Sequence, residues 1–278
     1  MILSIRNLFL FTLLVLINLM PCNGFSQFLQ ESQDEKQIQK FAKYLYNLEL
    51  YDLAAEEYER LVYLNKSNPN HLKYLIKSYR GASNIDKLRS RISRIELTEP
   101  DIVNEYIYAL MLESLNDEAV GIYKLHSDKF SQEAQNKIVF DLALAERDWD
   151  RSMDQFSSLS LSEKMKYEPL INKIKETKYK SPTTAAVLSG IIPGSGRIYA
   201  KDNVDGIISF IFVASTAYQS YRRFKQKGSK SIAGWVYGGV SLGFYISNIY
   251  GSYQSAKFYN NNIDKELHAK SLDIISRD

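Results

Sequence analysis

The chain predicts an all-α protein: a stack of helical repeats, then a transmembrane helical hairpin with a short re-entrant or interfacial helix beside it. Three observations carry this. Residues 34–168 show helix-period apolar spacing broken at polar clusters, with no alternating strand pattern of weight. Residues 180–259 hold two apolar runs, each of about 18 residues, on either side of a cationic turn, which is the pattern of a membrane hairpin. The first residues read as an export leader.

In the leader, Arg6 supplies the positive charge, Leu8 to Met20 the apolar core, and Pro21 the break. Gly24 and Ser26 put small residues at the positions a signal peptidase reads, so residues 1–26 are expected to be a signal peptide cleaved before Gln27. An uncleaved anchor and lipidation are the alternatives. Leu19-Met20-Pro21-Cys22 has the outline of a lipobox, with Pro21 where a small residue is wanted. Cys22 is the chain's single cysteine. Cleavage after Ser26 would leave no thiol for disulfides, nucleophilic catalysis or Cys-ligated metal.

Charge divides the remainder. The formal net charge is +3, too small to argue for nucleic acid. Residues 27–180 carry 23 Lys/Arg against 26 Asp/Glu, and residues 181–278 carry 11 against 6. A mildly acidic surface thus precedes a basic, apolar segment.

Residues 27–179 are the expected repeat domain. Aligning the second helix of each unit brings Ala54, Tyr58 and Leu61 into line with Leu88, Ile92 and Ile95. Ala119, Tyr123 and His126 follow, then Ser152, Phe156 and Leu159. A small residue, an aromatic four later and an apolar residue three beyond, at a period of roughly 31–34, resembles the tetratricopeptide repeat. That resemblance implies a solenoid of four degenerate helix pairs, each burying its apolar face on the next and together holding partner proteins or peptides. Lys87, Arg91 and Arg94 form a cationic stripe opposite the apolar face of the second unit, a candidate grip for an acidic partner. His71, His126 and His268 are far apart and lack acidic neighbours at metal-ligand spacing.

Residues 180–259 are the expected membrane domain, with helices over about 183–192, 204–224 and 232–253 and a polar tail over 260–278. Ser181-Pro182 reads as N-cap and first helical position. The helix that follows is too short to span and is broken by Pro193-Gly194-Ser195-Gly196. That turn, with Arg197, is a candidate lipid head-group contact. Gly239, Gly243, Ser247, Gly251 and Ser255 recur every fourth residue, a ladder expected to admit close approach of a helix. The expected contact is the preceding helix, through Gly206, Ser209 and Ala217, or a second copy of the chain. Arg222, Arg223, Lys225, Lys227 and Lys230 place the intervening loop in the cytoplasm by the positive-inside rule.

Lys180-Ser181-Pro182, Ala185, Leu188-Ser189, Pro193-Gly194-Ser195-Gly196, Tyr199 and Asp205-Gly206 together resemble an uncharacterised membrane-domain family of Bacteroidota envelopes. They are more distantly similar to the small two-helix transmembrane domain. Arg197 stands where that family usually has Gln, and Lys201-Asp202 where it has a Gly. The resemblance implies architecture and location only.

No Walker loop, zincin motif, nucleophile elbow or paired-carboxylate signature is present. Ser195 has no base near it in sequence. The sequence therefore points to a non-enzymatic scaffold of the bacterial envelope, without cofactor or metal, anchored in the inner membrane with its repeats in the periplasm. Its expected partners are membrane lipid and envelope proteins or peptides. The competing readings are an oligomeric accessory of a transport or membrane-insertion system and an enzyme with an unrecognised site.

Overall fold

The computed structural model describes residues 35–277. The expected leader, its expected cleavage site and Cys22 lie outside the described residues. Those described form helices and connecting turns, with no strand among them. They fall into two compact units divided after Gln135.

The first unit holds α1 (Glu35–Asn47), α2 (Tyr51–Leu64), α3 (Pro69–Gly81), α4 (Ile85–Ile92), α5 (Pro100–Leu112) and α6 (Asn116–His126). Pro69 and Pro100 each open a helix at its first turn, where proline costs no hydrogen bond. Asn68 caps α3 by accepting from the Asn70 N–H at 3.1 Å. The core is aliphatic and tyrosine-rich. Tyr58 stacks on Tyr74 at 5.4 Å, and Tyr74 meets Tyr46 edge-on at 5.7 Å. Burial pushes the Tyr58 hydroxyl up to about 12.

The second unit holds α7 (Gln132–Ala145), in whose first turn the division falls, then α8 (Trp149–Phe156) and α9 (Leu161–Glu176). There follow α10 (Pro182–Ile191), α11 (Ser195–Tyr199), α12 (Asn203–Lys227) and α13 (Ile232–Ser276). Phe140 lies edge-on to Tyr167 at 4.8 Å, and the Tyr167 hydroxyl donates to buried Asp141 at 2.7 Å.

One local device recurs through the helix pairs. Glu49, Ser83, Ser114 and Arg147 all sit in the left-handed region, with φ of 60°, 50°, 60° and 61°. Each ends the first helix of its pair with the same two bonds. Leu50, Asn84, Leu115 and Asp148 N–H donate to the carbonyls of Leu45, Tyr79, Leu110 and Ala143. Glu49, Ser83, Ser114 and Arg147 N–H donate to those of Tyr46, Arg80, Met111 and Leu144. This is the Schellman closure, here made without glycine at a cost of about 1 kcal/mol per site. Five residues beyond each turn stand Ala54, Leu88, Ala119 and Ser152, all fully buried. These are the residues that head each unit in the sequence alignment.

The C-terminal half departs from expectation. α13 is one helix of 45 residues, about 67 Å long at 1.5 Å per residue, and does not end near 253. Residues 260–276 are therefore helix rather than a polar tail, and Leu267, Ser271 and Ile275 are fully buried. Their apolar residues recur at wide spacing among Lys, Glu and Asn, which hides the period from a short window. This part of α13 packs against α9. Asp264 accepts from Trp149 Nε1 at 3.0 Å and from the Tyr179 hydroxyl at 2.6 Å. Asn260 accepts from Lys180 N–H at 2.8 Å and donates to its carbonyl at 2.9 Å. Lys173 pairs with Glu266.

His268 completes this contact, its Nε2 lying 3.1 Å from the Ala145 carbonyl. Burial, with Arg147 adding charge repulsion, pushes the imidazole below its ordinary value. A lowered folded value means that the contribution is intact above the unfolded value and is lost as pH falls from there towards the folded one. Stability of the second unit should thus decline as pH drops below about 6.5. His268→Gln keeps the donor without the titration, and should flatten that slope in urea melts across pH. An unchanged slope would place the titration elsewhere.

Candidate functional site

The hairpin is built on a junction where three helices meet at backbone distance. Ser181 caps α10, accepting from Thr184 N–H at 3.2 Å, and Pro182 is the first helical residue, as the sequence indicates. Gly194 follows in the left-handed region, with φ of 87°. A Cβ on Gly194 would strike the Gly206 carbonyl, and one on Gly196 the Ala185 carbonyl. One on Gly206 would sit 2.7 Å from Ile198 Cγ1. The glycines are there because α10, α11 and the start of α12 touch main chain to main chain.

Most polar groups of Gly194, Ser195, Gly196 and Arg197, read from the sequence as a candidate head-group turn, bond within the chain, while Arg197 Nε is buried with no hydrogen-bond partner among the described residues. Ser195 Oγ donates at 2.8 Å to both the Leu188 and Ile192 carbonyls, and Ser195 N–H to the Ile192 carbonyl. Gly196 N–H donates to Ser189 Oγ at 2.9 Å. Ser189 Oγ in turn bonds Ser252 Oγ of α13 at 2.6 Å. Arg197 reaches Asp202 at 3.3 Å and Asp205 at 3.1 Å, and Ser255 donates to Asp202 at 2.8 Å. Arg197 packs directly over Gly251. The cluster borders an open cleft of about 780 Å³ also lined by Tyr250, Gln254 and Phe258.

Above the junction, α12 and α13 pair along a seam that repeats every seventh residue. Val213 and Ser220 are the buried residues of α12 in this seam, and Gly206, seven residues before Val213, is buried against α11. Gly234, Ser241 and Asn248 are the matching buried positions of α13, with Ser252 and Ala256 beyond. Ser220 Oγ donates to the Gly234 carbonyl at 2.8 Å, and Ser241 Oγ to the Val213 carbonyl at 3.2 Å. A Cβ on Gly234 would lie 2.8 Å from the Phe224 ring. Tyr245 donates to the Gly190 carbonyl and ties α13 to α10.

The four-residue ladder is out of phase with this seam. Nothing lies within 4 Å of a Cβ built on Gly239 or Gly243, and Ser247 is exposed. Gly251 and Ser255 belong to the Arg197 cluster instead. Of the contacts expected on α12, Gly206 meets α11 and Ala217 is exposed. A step of four advances 40° round a helix at each stride, so the ladder spirals away from a seam of period 3.5.

The outward faces are apolar. Ile207, Ile208, Phe210, Ile211 and Phe212 of α12 are exposed, as are Val240, Leu242, Phe244 and Ile246 of α13. Among the described residues, no helix is long and apolar enough to cross a membrane. The expected hairpin is present as a helix pair, and serine, glycine and tyrosine lower the mean hydropathy of both its runs.

In the first unit the cationic stripe is divided. Arg91 makes a forked pair with Glu59 at 2.6 and 2.9 Å, and the Tyr79 hydroxyl donates to the same carboxylate. Lys87 and Arg94 are exposed, and Arg94 lies beyond the end of α4. Sequence reading missed a denser charge cluster. Glu105, 6% exposed, is faced by Lys77 at 3.0 Å, Arg80 at 3.3 Å and Lys73 at 4.0 Å. All three cations lie on α3, two helices before the α5 that carries Glu105, where no local spacing reveals the pairing.

No family model, curated protein or solved structure matches this chain.

Proposed function

We propose that the chain is a non-enzymatic, membrane-anchored helical-repeat protein of the bacterial envelope, whose residues 180–259 sit in lipid while its repeats serve as a protein-interaction scaffold. The observation that carries this is the inversion of polarity in the hairpin: Ser220, Gly234, Ser241 and Asn248 are turned into the seam, and large apolar side chains are turned out. A water-soluble hairpin is built the other way round. Mean hydropathy counts both faces alike, so it understates the apolarity of what the pair presents to its surroundings. In lipid, small residues and interhelical hydroxyl bonds are the means by which helices associate.

The repeated left-handed turn and the buried residue five positions after it support a tetratricopeptide-like stack. Such stacks act by holding other proteins. The inner-membrane, periplasmic placement rests on the leader and on the basic loop. A second reading, an oligomeric accessory of transport or insertion, is favoured by Gly239 and Gly243, which lie open on the outer face where another helix could approach.

Cell fractionation tests the anchoring. The protein should stay with membranes through both high salt and alkaline carbonate, and its repeats should be digested by protease in spheroplasts. Release into the soluble fraction by carbonate would contradict the reading. Crosslinking through cysteines at Gly239 and Gly243 would separate scaffold from oligomer.

A further inference from the structure

The loop end of the hairpin carries a charge pattern that orientation alone does not require. Between Asp205 and Asp264 the chain has no acidic residue. Arg222, Arg223, Lys225, Lys227 and Lys230 lie in that stretch, all exposed, and none has an ion-pair partner among the described residues. Successive helical residues turn by about 100°, so Arg222, Arg223, Lys225 and Lys227 point to different sides of α12. The charge spreads over an arc of about 200° at the helix end. A helix lying flat on a surface would carry its cations along one face.

Apolar groups are interleaved with this arc. Tyr218 and Tyr221 are 62% exposed, Trp235 65% and Ile232 80%. Trp235 is held in place: its Nε1 donates to the Ser229 carbonyl at 3.0 Å, and its ring meets Phe224 edge-on at 5.3 Å. Ser231 caps α13 by accepting from Gly234 N–H at 3.1 Å, which fixes the turn beneath them. Cations with aromatic rings just behind them match the boundary of a bilayer, where headgroup charge lies outside the acyl layer.

We propose that this tip is a binding surface for anionic phospholipid, with the cation arc in the headgroup layer and Trp235, Ile232 and Tyr221 at its inner edge. The inference rests on the reading that the hairpin is in lipid, and adds the class of lipid it gathers. A cation near a charged leaflet is worth about fivefold in local lipid partition, and salt weakens the effect.

The test uses the full chain in phosphatidylcholine nanodiscs containing a minor fraction of brominated lipid. Trp235 fluorescence is read against the constant background of Trp149, the other tryptophan. Brominated phosphatidylglycerol should quench Trp235 at least about threefold more than the same fraction of brominated phosphatidylcholine. The excess should shrink in high salt and vanish when all five cations are changed to glutamine, with helicity unchanged. Equal quenching by the two lipids overturns the proposal and leaves the membrane reading intact. Quenching by neither overturns both. Duplex DNA bound through the same five residues, with no preference between the lipids, would assign the tip to nucleic acid and also overturn it.

Discussion

Replacing Gly196 by alanine is expected to disrupt the junction of α10, α11 and α12 and to do far more damage than a methyl added at the open glycines Gly239 and Gly243. The new Cβ would meet the Ala185 carbonyl, a main-chain atom inside α10 that cannot turn aside as a side chain can. Relief requires α11 to move off α10, which breaks the Gly196 N–H bond to Ser189 and strains the Ser189–Ser252 link to α13. Overpacking against a yielding core costs about 1–3 kcal/mol, and a backbone clash lies at or above the top of that range. Gly239→Ala and Gly243→Ala are the controls. Both positions are helical and open, so replacing glycine should be neutral or stabilising by a few tenths of a kcal/mol up to about 1 kcal/mol. Thermal unfolding of the three variants in one detergent gives the comparison. Equal losses would mean that the junction is not the tight point described.

Removing residues 260–278 should unfold the α7–α9 part of the second unit rather than trim a loose end. The cut discards Leu267 and Ile275, both fully buried, and the groups that bond Trp149, Tyr179 and the Ala145 carbonyl. Losing one buried leucine to alanine costs about 2–5 kcal/mol, so Leu267→Ala alone should be visible as a lower midpoint in denaturant. The truncation removes several such contributions, against a typical total of about 5–15 kcal/mol. A soluble fragment over 27–178 would share the defect, since it keeps α7–α9 and lacks the helix that covers them. Full helicity with an unchanged midpoint in the truncated chain would show that α13 adds nothing there.

Helix identity was legible in the sequence wherever a period, a cap or a proline marked it. Ser181-Pro182 starts α10 and the basic turn ends α12. The residues aligned at the head of each unit, Ala54, Leu88, Ala119 and Ser152, are fully buried. The turns before them were illegible, because Glu49, Ser83, Ser114 and Arg147 adopt a conformation usually signalled by glycine or asparagine. The hairpin seam was misread by one or two positions on the helix surface. Glycine spacing is conspicuous, and the serines and asparagine that do the packing are not. Charge pairing over about thirty residues, as between Arg91 and Glu59 or Glu105 and the cations of α3, has no sequence signature at all. The same holds for Asp264, which reaches back to Trp149 across 115 residues.

The central claim is that the outward faces of α12 and α13 are covered by lipid while the seam is closed. Nitroxide spin labels at Ile211, Leu242 and Ile246, in a background without Cys22, test it on the full chain in bilayers. Relaxation by oxygen should exceed relaxation by a water-soluble nickel chelate at all three sites, whereas labels on Lys227 and Lys265 should show the reverse. Labels at Ile211, Leu242 and Ile246 that respond more strongly to the nickel chelate than to oxygen would contradict it.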